Sequence, residues 1–223
     1  MEYARCPKKF YWTSIRPLPR FSGPAARIGT QVHAWIERQA AGQATLLELE
    51  EMPDLTDEEL AGEPGRVERL QRNFEASRFG SVSPLYAERA FLLRVDEFVV
   101  SGRIDAIFGT ADGPWEVVDY KTGRKPPEDD ALSGLQLDLY ALACGDVFGK
   151  RASDLTLTYL YLQDGEMVTW VAGDPEETRA RVATALAGIA ARRFPTLPGD
   201  HCRWCDFRPF CPPGKEYVAQ AQA

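Results

Sequence analysis

The sequence predicts a mixed α/β domain, and three observations carry that prediction. Runs rich in Val, Ile, Leu and Phe lie at 87–95, 98–108 and 115–121, broken by Asp96-Glu97 and by Ala111-Asp112-Gly113-Pro114, the pattern of a β-meander. Segments of helical period flank it, at 29–42 and 66–79 before and at 131–148 after. Two more strands, 155–163 and 166–172, meet at Asp164-Gly165, a hairpin turn signal. Helix, three strands, helix, two strands, helix is the order of a sheet covered by helices.

Each element has its own justification. Residues 1–27 are basic and aromatic, and Pro17, Pro19 and Pro24 interrupt regular structure. From Gly29 to about Gly42, Ile28, Val32 and Ile36 share one helix side. Residues 43–65 are acidic and punctuated by Pro and Gly, which suits an exposed insertion. The Ala-rich segment 175–194 opens on Asp174-Pro175, an N-cap followed by proline at the first helical position. Three cysteines crowd the segment 195–215, and 216–223 reads as a tail. Gly145-Asp146-Val147-Phe148-Gly149-Lys150 is not a phosphate loop, because three residues rather than four separate its glycines and Arg151 follows the lysine.

Composition bounds the function. At 223 residues, 44% hydrophobic and 26% charged, the chain suits one globular domain spanning 1–223. No run is long and apolar enough for a transmembrane helix, and the N-terminus lacks the apolar core of a secretory signal, so the expected compartment is the cytoplasm, with no membrane partner. The net charge of −7 does not suggest bulk nucleic-acid binding, but its distribution is uneven. Eight acids and no base lie in 46–63, whereas 1–27 hold Arg5, Lys8, Lys9, Arg16, Arg20 and Arg27 against Glu2 alone. Such a basic patch binds phosphates or is ordinary solvated surface. Five cysteines, an odd number, do not suggest a disulfide framework in a reducing compartment.

The chemistry centres on Trp115-Glu116-Val117-Val118-Asp119-Tyr120-Lys121. Alternate strand residues share a face, so Asp119 and Lys121 point the same way. One strand earlier, Gly102-Arg103-Ile104-Asp105 offers a second carboxylate inside an apolar run. Two carboxylates at one point repel; a hard divalent cation such as Mg²⁺ relieves the repulsion, prefers such oxygens and activates water beside a phosphate. Lys121 would orient that water or neutralise developing charge. Taken alone, an Asp-x-Lys is as readily the solvated end of a strand. His33 lies on the first helix, four residues after Gly29. Gln136 and Tyr140 stand at i and i+4 on the helix after the lysine, hence on one face. Cys202-x2-Cys205-x5-Cys211, with Cys6 almost at the other end of the chain, suits an iron–sulfur or zinc centre. In the zinc case His201 could be the fourth ligand. Cys144 sits in an apolar helix and reads as packed.

Taken in order, Gly29/His33, Gly102-Arg103-Ile104-Asp105, Val118-Asp119-Tyr120-Lys121-Thr122-Gly123 and Gln136/Tyr140 resemble the RecB-family nucleases of the PD-(D/E)XK superfamily. The resemblance implies a restriction-endonuclease-like core, a mixed central sheet flanked by helices. It implies Mg²⁺ or Mn²⁺ held by His33, Asp105, Asp119 and the Tyr120 carbonyl. Lys121 becomes the catalytic lysine, Gln136 and Tyr140 support the site or the DNA strand, and Glu88 fills the place of a glutamate on the first meander strand. Cys6-Pro7-Lys8-Lys9-Phe10-Tyr11 resembles the entry of family members that carry a 4Fe–4S staple. By that resemblance Cys6, Cys202, Cys205 and Cys211 hold the cluster, which joins segments 1–27 and 195–215. The expected function is a DNA nuclease, an exonuclease on single-stranded ends, in repair or recombination. Its expected setting is the nuclease module of a helicase–nuclease of UvrD-like or AddAB type. The alternatives are a CRISPR-associated DNA-trimming nuclease and a catalytically silent DNA-binding module with a structural cluster.

Overall fold

The computed structural model describes residues 2–18, 24–40, 65–125 and 134–221. Of the acidic insertion expected at 43–65, only Gly65 falls within them. In chain order the elements are α1 (Glu2–Arg5), α2 (Pro7–Phe10), a π-helical turn (Tyr11–Ile15), α3 (Pro24–Ala40), α4 (Arg66–Ala76), β1 (Tyr86–Val95), β2 (Phe98–Gly109), β3 (Trp115–Lys121), α5 (Leu135–Asp146), β4 (Leu155–Tyr161), β5 (Glu166–Val171), α6 (Pro175–Ala190) and α7 (Pro212–Gln220).

The sheet runs β1-β2-β3-β4-β5 in sequence order. All neighbours are antiparallel except β3 and β4, which are parallel, Trp115 opposite Leu155 through Lys121 opposite Tyr161. A parallel pair needs a crossover, and α5 supplies it. The central strands β3 and β4 are buried on both faces, so they read as continuous apolar runs rather than alternating ones. One face carries Phe91, Leu93, Val95, Ile104, Ile107, Val117 and Leu157 against α5 and α6. The other carries Ala106, Phe108, Val118, Tyr120 and Leu160 against Val32 and Ile36 of α3 and Leu70 and Phe74 of α4. The β4–β5 hairpin turns through Gly165 at φ +70°, a conformation glycine adopts without steric cost. Asp174 caps α6, its Oδ1 accepting from the backbone of Glu176 and Glu177 at 2.9 and 3.0 Å.

Several boundaries differ from the sequence expectation: α4 ends at Ala76 rather than 79, α5 at Asp146 rather than 148 and β4 at Tyr161 rather than 163. Helix α3 begins at Pro24 rather than Gly29, because proline, a breaker inside a helix, is well tolerated in its first turn. Helix α6 ends at Ala190 rather than 194. Helix α7, opened by Pro212 and Pro213 with Val218 buried, crosses the expected boundary between the cysteine segment 195–215 and the tail.

The two ends of the chain meet. Tyr3 Oη donates to the Arg193 carbonyl at 2.7 Å, and Lys8 N donates to the Pro195 carbonyl at 3.0 Å. Tyr3 packs edge-on against Phe194, and Trp12 packs against Phe207. No helix among the described residues is long and apolar enough to cross a membrane.

Candidate active site

The site is a notch where two strands part. The β2–β3 ladder ends at Ala106 opposite Val118. Beyond it Asp105 Oδ2 accepts a 2.9 Å hydrogen bond from Tyr120 N, a side chain replacing the ladder partner. The strands also change face here. Ile104 and Ile107, three apart, pack in one cluster, so the alternation of β2 shifts by one residue around Asp105. In β1 the shift coincides with Glu88, whose φ of 48° is unusual for a residue with a Cβ. Strain of this kind persists where the surroundings enforce it, commonly at functional sites.

Helix α3 brings His33 into the notch. His33 Nε2 lies 3.0 Å from the Tyr120 carbonyl, and Nδ1 lies 3.6 Å from Asp105 Oδ2. Gly29, one turn earlier, gives the helix its close approach: a Cβ there would stand 3.3 Å from Thr122 Oγ1. His33, Glu88 and Asp105 each offer a ligand atom within 4.8 Å of the others, the one such triple among the described residues. Asp119 is buried; its Oδ2 pairs with the Lys121 ammonium but makes no aligned hydrogen bond. Lys121 Nζ also donates to Gln136 Oε1 at 2.8 Å, and Gln136 Nε2 donates to Tyr140 Oη at 2.9 Å. The structure gathers His33, Glu88, Asp105, Asp119, Lys121, Gln136 and Tyr140 around the notch, but Asp119 lies outside the His33–Glu88–Asp105 triple and pairs with Lys121, and His201 lies in a separate pocket with the cysteines.

The electrostatics of the notch are strained in one direction. Burial, then the charge of Asp119, pushes the Asp105 carboxyl up to about 8. Burial raises Asp119 too, while Lys121 pulls it back. Burial and the nearby charge of Glu37 raise Glu88, and burial lowers His33. Each shift removes charge that a divalent cation would restore, so the donor set suits a hard metal ion. Sequence reasoning missed Glu37, one helical turn after His33, and the ion pair between Arg103 Nε and Glu88 Oε2 at 3.7 Å. The i, i+4 spacing of His33 and Glu37 was the available signal for the first.

The four predicted cysteines line a second, separate pocket with Lys8, Lys9, Trp12, His201 and Gly214. A Cβ at Gly214 would stand 3.4 Å from Cys211 Sγ and 3.5 Å from Cys202 Sγ, so glycine keeps that wall open. Burial favours the neutral Cys6 thiol, but hydrogen bonds from His201 and from the backbone of Leu197 and Lys9 outweigh it and bring the thiol down to about 7. Cys144 is fully buried in α5, away from that pocket.

A family model described as the PD-(D/E)XK nuclease superfamily matches residues 1–212. The "Gene 69 protein" of Mycobacterium phage D29 is 33% identical over 135 residues, 56% of this chain and 47% of that protein. The chain therefore spans about half the length of this curated relative. A provisionally assigned exonuclease from Eubacterium rectale superposes with a TM-score of 0.52 at 13% identity, over 89% of this chain and 80% of that one, a likeness of fold alone. A protein named SSO0001 gives a TM-score of 0.46 at 20% identity, over 67% of this chain and 71% of that one, too loose to carry an argument.

Proposed function

The chain belongs to the PD-(D/E)XK nuclease superfamily, and from that premise we propose that it is a divalent-metal-dependent deoxyribonuclease acting on single-stranded DNA ends. The observation that carries the proposal is the notch itself: His33, Glu88 and Asp105 converge within 4.8 Å beside a buried Asp119 that Lys121 accompanies. His33, Asp105, Asp119 and the Tyr120 carbonyl would hold Mg²⁺ or Mn²⁺; Glu88 already converges with His33 and Asp105, and Asp119 would join them from its pairing with Lys121. The bound ion supplies Lewis acidity at the scissile phosphate and a water of lowered pKa.

The chain's own groups do the rest. Lys121 places a positive charge where the phosphate gains negative charge. Asp119 and Gln136 hold that ammonium from two sides, and Tyr140 holds Gln136. Burial keeps the Tyr140 phenol protonated, so the support is neutral and does not compete for the cation. Asp105, by capping Tyr120 N, also fixes the Tyr120 carbonyl toward His33. The ordered motifs resemble those of RecB-like nucleases, which supports a place in DNA repair or recombination beside a helicase motor.

From the resemblance of Cys6-Pro7-Lys8-Lys9-Phe10-Tyr11 to the entry of cluster-bearing family members, Cys6, Cys202, Cys205 and Cys211, which line one pocket, would hold a 4Fe–4S staple. Because Cys6 and the other three sit at opposite ends of the chain, a cluster here closes a very long loop.

The experiment is degradation of an end-labelled single-stranded oligonucleotide with Mn²⁺, with and without chelator. Metal-dependent shortening is expected. A folded, metal-loaded protein that leaves DNA intact would reduce the chain to a binding module.

A further inference from the structure

We propose that Arg103 grips a backbone phosphate of the DNA strand, and that the exposed face of the β1–β2 hairpin is the strand's path to the site. The inference rests on the nuclease reading above. Arg103 stands on β2 two residues before Asp105, in the Gly-Arg-Ile-Asp segment whose carboxylate alone the mechanism uses.

Three observations converge on it. First, Arg103 is anchored beside the notch. Its Nε lies 3.7 Å from Glu88 Oε2, and Glu88 shares the 4.8 Å group with His33 and Asp105. Second, the guanidinium is open to another anion, since the side chain stays 60% exposed despite that pair. A planar fork of donors suits a phosphate better than a point charge does. Third, the notch is acidic, with Glu37, Glu88, Asp105 and Asp119 around it, and Lys121 is engaged by Asp119 and Gln136. A polyanion approaching such a site needs a cation on its route that the catalytic centre does not consume.

The route is legible in the register. Ala90 lies opposite Arg103, Leu92 opposite Ser101 and Arg94 opposite Val99, so these six residues share one face. That face points away from the core: Gly102, between Ser101 and Arg103, abuts the Phe91 ring on the buried side, where a Cβ would stand 2.4 Å from Phe91 Cζ. Leu92 and Val99 are 68% and 69% exposed. The face therefore runs about 14 Å from Arg103 to Val99, with an arginine at either end and small or apolar side chains between. Phosphates satisfy the arginines, and sugars and bases can lie on the apolar middle.

A merely structural role, in which Arg103 only neutralises Glu88, makes a different prediction. Relieving Glu88 of its charge would then make Arg103 dispensable. The test uses the full-length chain, a fluorescein-labelled oligo-dT and Ca²⁺ in place of Mn²⁺, with binding followed by anisotropy across a salt series. Arg103→Gln should weaken binding about five- to tenfold and reduce the salt slope by about one. In Mn²⁺ it should raise KM more than it lowers kcat. Mn²⁺ affinity, read by calorimetry without DNA, should stay at the wild-type value. Leu92→Glu with Val99→Glu, both on the surface, should weaken DNA binding as well. A wild-type slope in Arg103→Gln, or full rescue of its deficit by Glu88→Gln, would overturn the inference while leaving the nuclease reading intact. A wild type that neither binds nor cuts DNA would overturn both.

Discussion

Lys121 Nζ donates a 2.8 Å hydrogen bond to Gln136 Oε1, tying the end of β3 to the first turn of α5. The crossover helix that the parallel β3–β4 pair requires is thus also the support of the lysine. Gln136 hydrogen-bonds Lys121 and Tyr140, so its effect passes through the orientation of Lys121. Gln136→Ala should lower kcat roughly 10- to 100-fold, the usual cost of losing an outer support, with Mn²⁺ affinity unchanged. Gln136→Glu should do less damage, because a carboxylate still accepts from the ammonium. Steady-state kinetics with calorimetric metal titration would check both.

Metal uptake should release a proton below pH 8. The Asp105 carboxyl is raised to about 8, so near pH 6.5 it is protonated in the metal-free protein and must lose that proton to bind a cation. Metal affinity should therefore rise with pH up to about 8 and then level. The sign for stability is opposite: a carboxyl raised in the folded state stabilises it at low pH, and the metal-free protein should lose stability as pH rises toward 8. Calorimetry in buffers of differing ionisation heat would count the proton; buffer-independent heats at pH 6.5 would contradict this.

Gly188→Ala should loosen the junction of the chain ends. A Cβ there would stand 2.2 Å from Tyr3 Oη, and the Tyr3 ring, set between Phe10 and Phe194, has little room to yield. Overpacking of this kind costs about 1–3 kcal/mol, a fall of about 2–4 °C in Tm for each kcal/mol at this chain length. An unchanged melting curve would show that Tyr3 docking contributes nothing.

The proposed 4Fe–4S staple predicts a brown protein when purified without oxygen, with about four irons per chain. Cys6→Ala should lower stability as much as Cys205→Ala, since a staple needs both ends. One zinc per chain and no colour would replace the cluster with a zinc site.

Much of this arrangement is legible in the sequence, for identifiable reasons. Strand β3 is framed by Pro114 before it and Thr122-Gly123 after it, and its bounds match the structure at both ends. Its period of two places Asp119 and Lys121 together. The shift of face at Glu88 and Asp105 is not legible, because alternation is the only rule a sequence offers for a strand and a non-glycine residue at positive φ breaks it silently. Helix α7 is not legible as one element either. It crosses the expected boundary at 215 between the cysteine segment and the tail, where Gly214 packs beside Cys202 and Cys211. Glu37 and Arg103 are exposed charges of common types, and their meaning comes from where Glu88 places them.

The measurement that tests the central claim most directly is single-turnover cleavage of a single-stranded oligonucleotide by Lys121→Ala beside wild type, with folding and Mn²⁺ binding verified for each. The notch predicts Mn²⁺-dependent cleavage by wild type, abolished by chelator, and a loss of roughly 100- to 1,000-fold in the variant, the scale of removing one transition-state charge partner. Cleavage by a folded, metal-loaded Lys121→Ala at the wild-type rate would contradict the account.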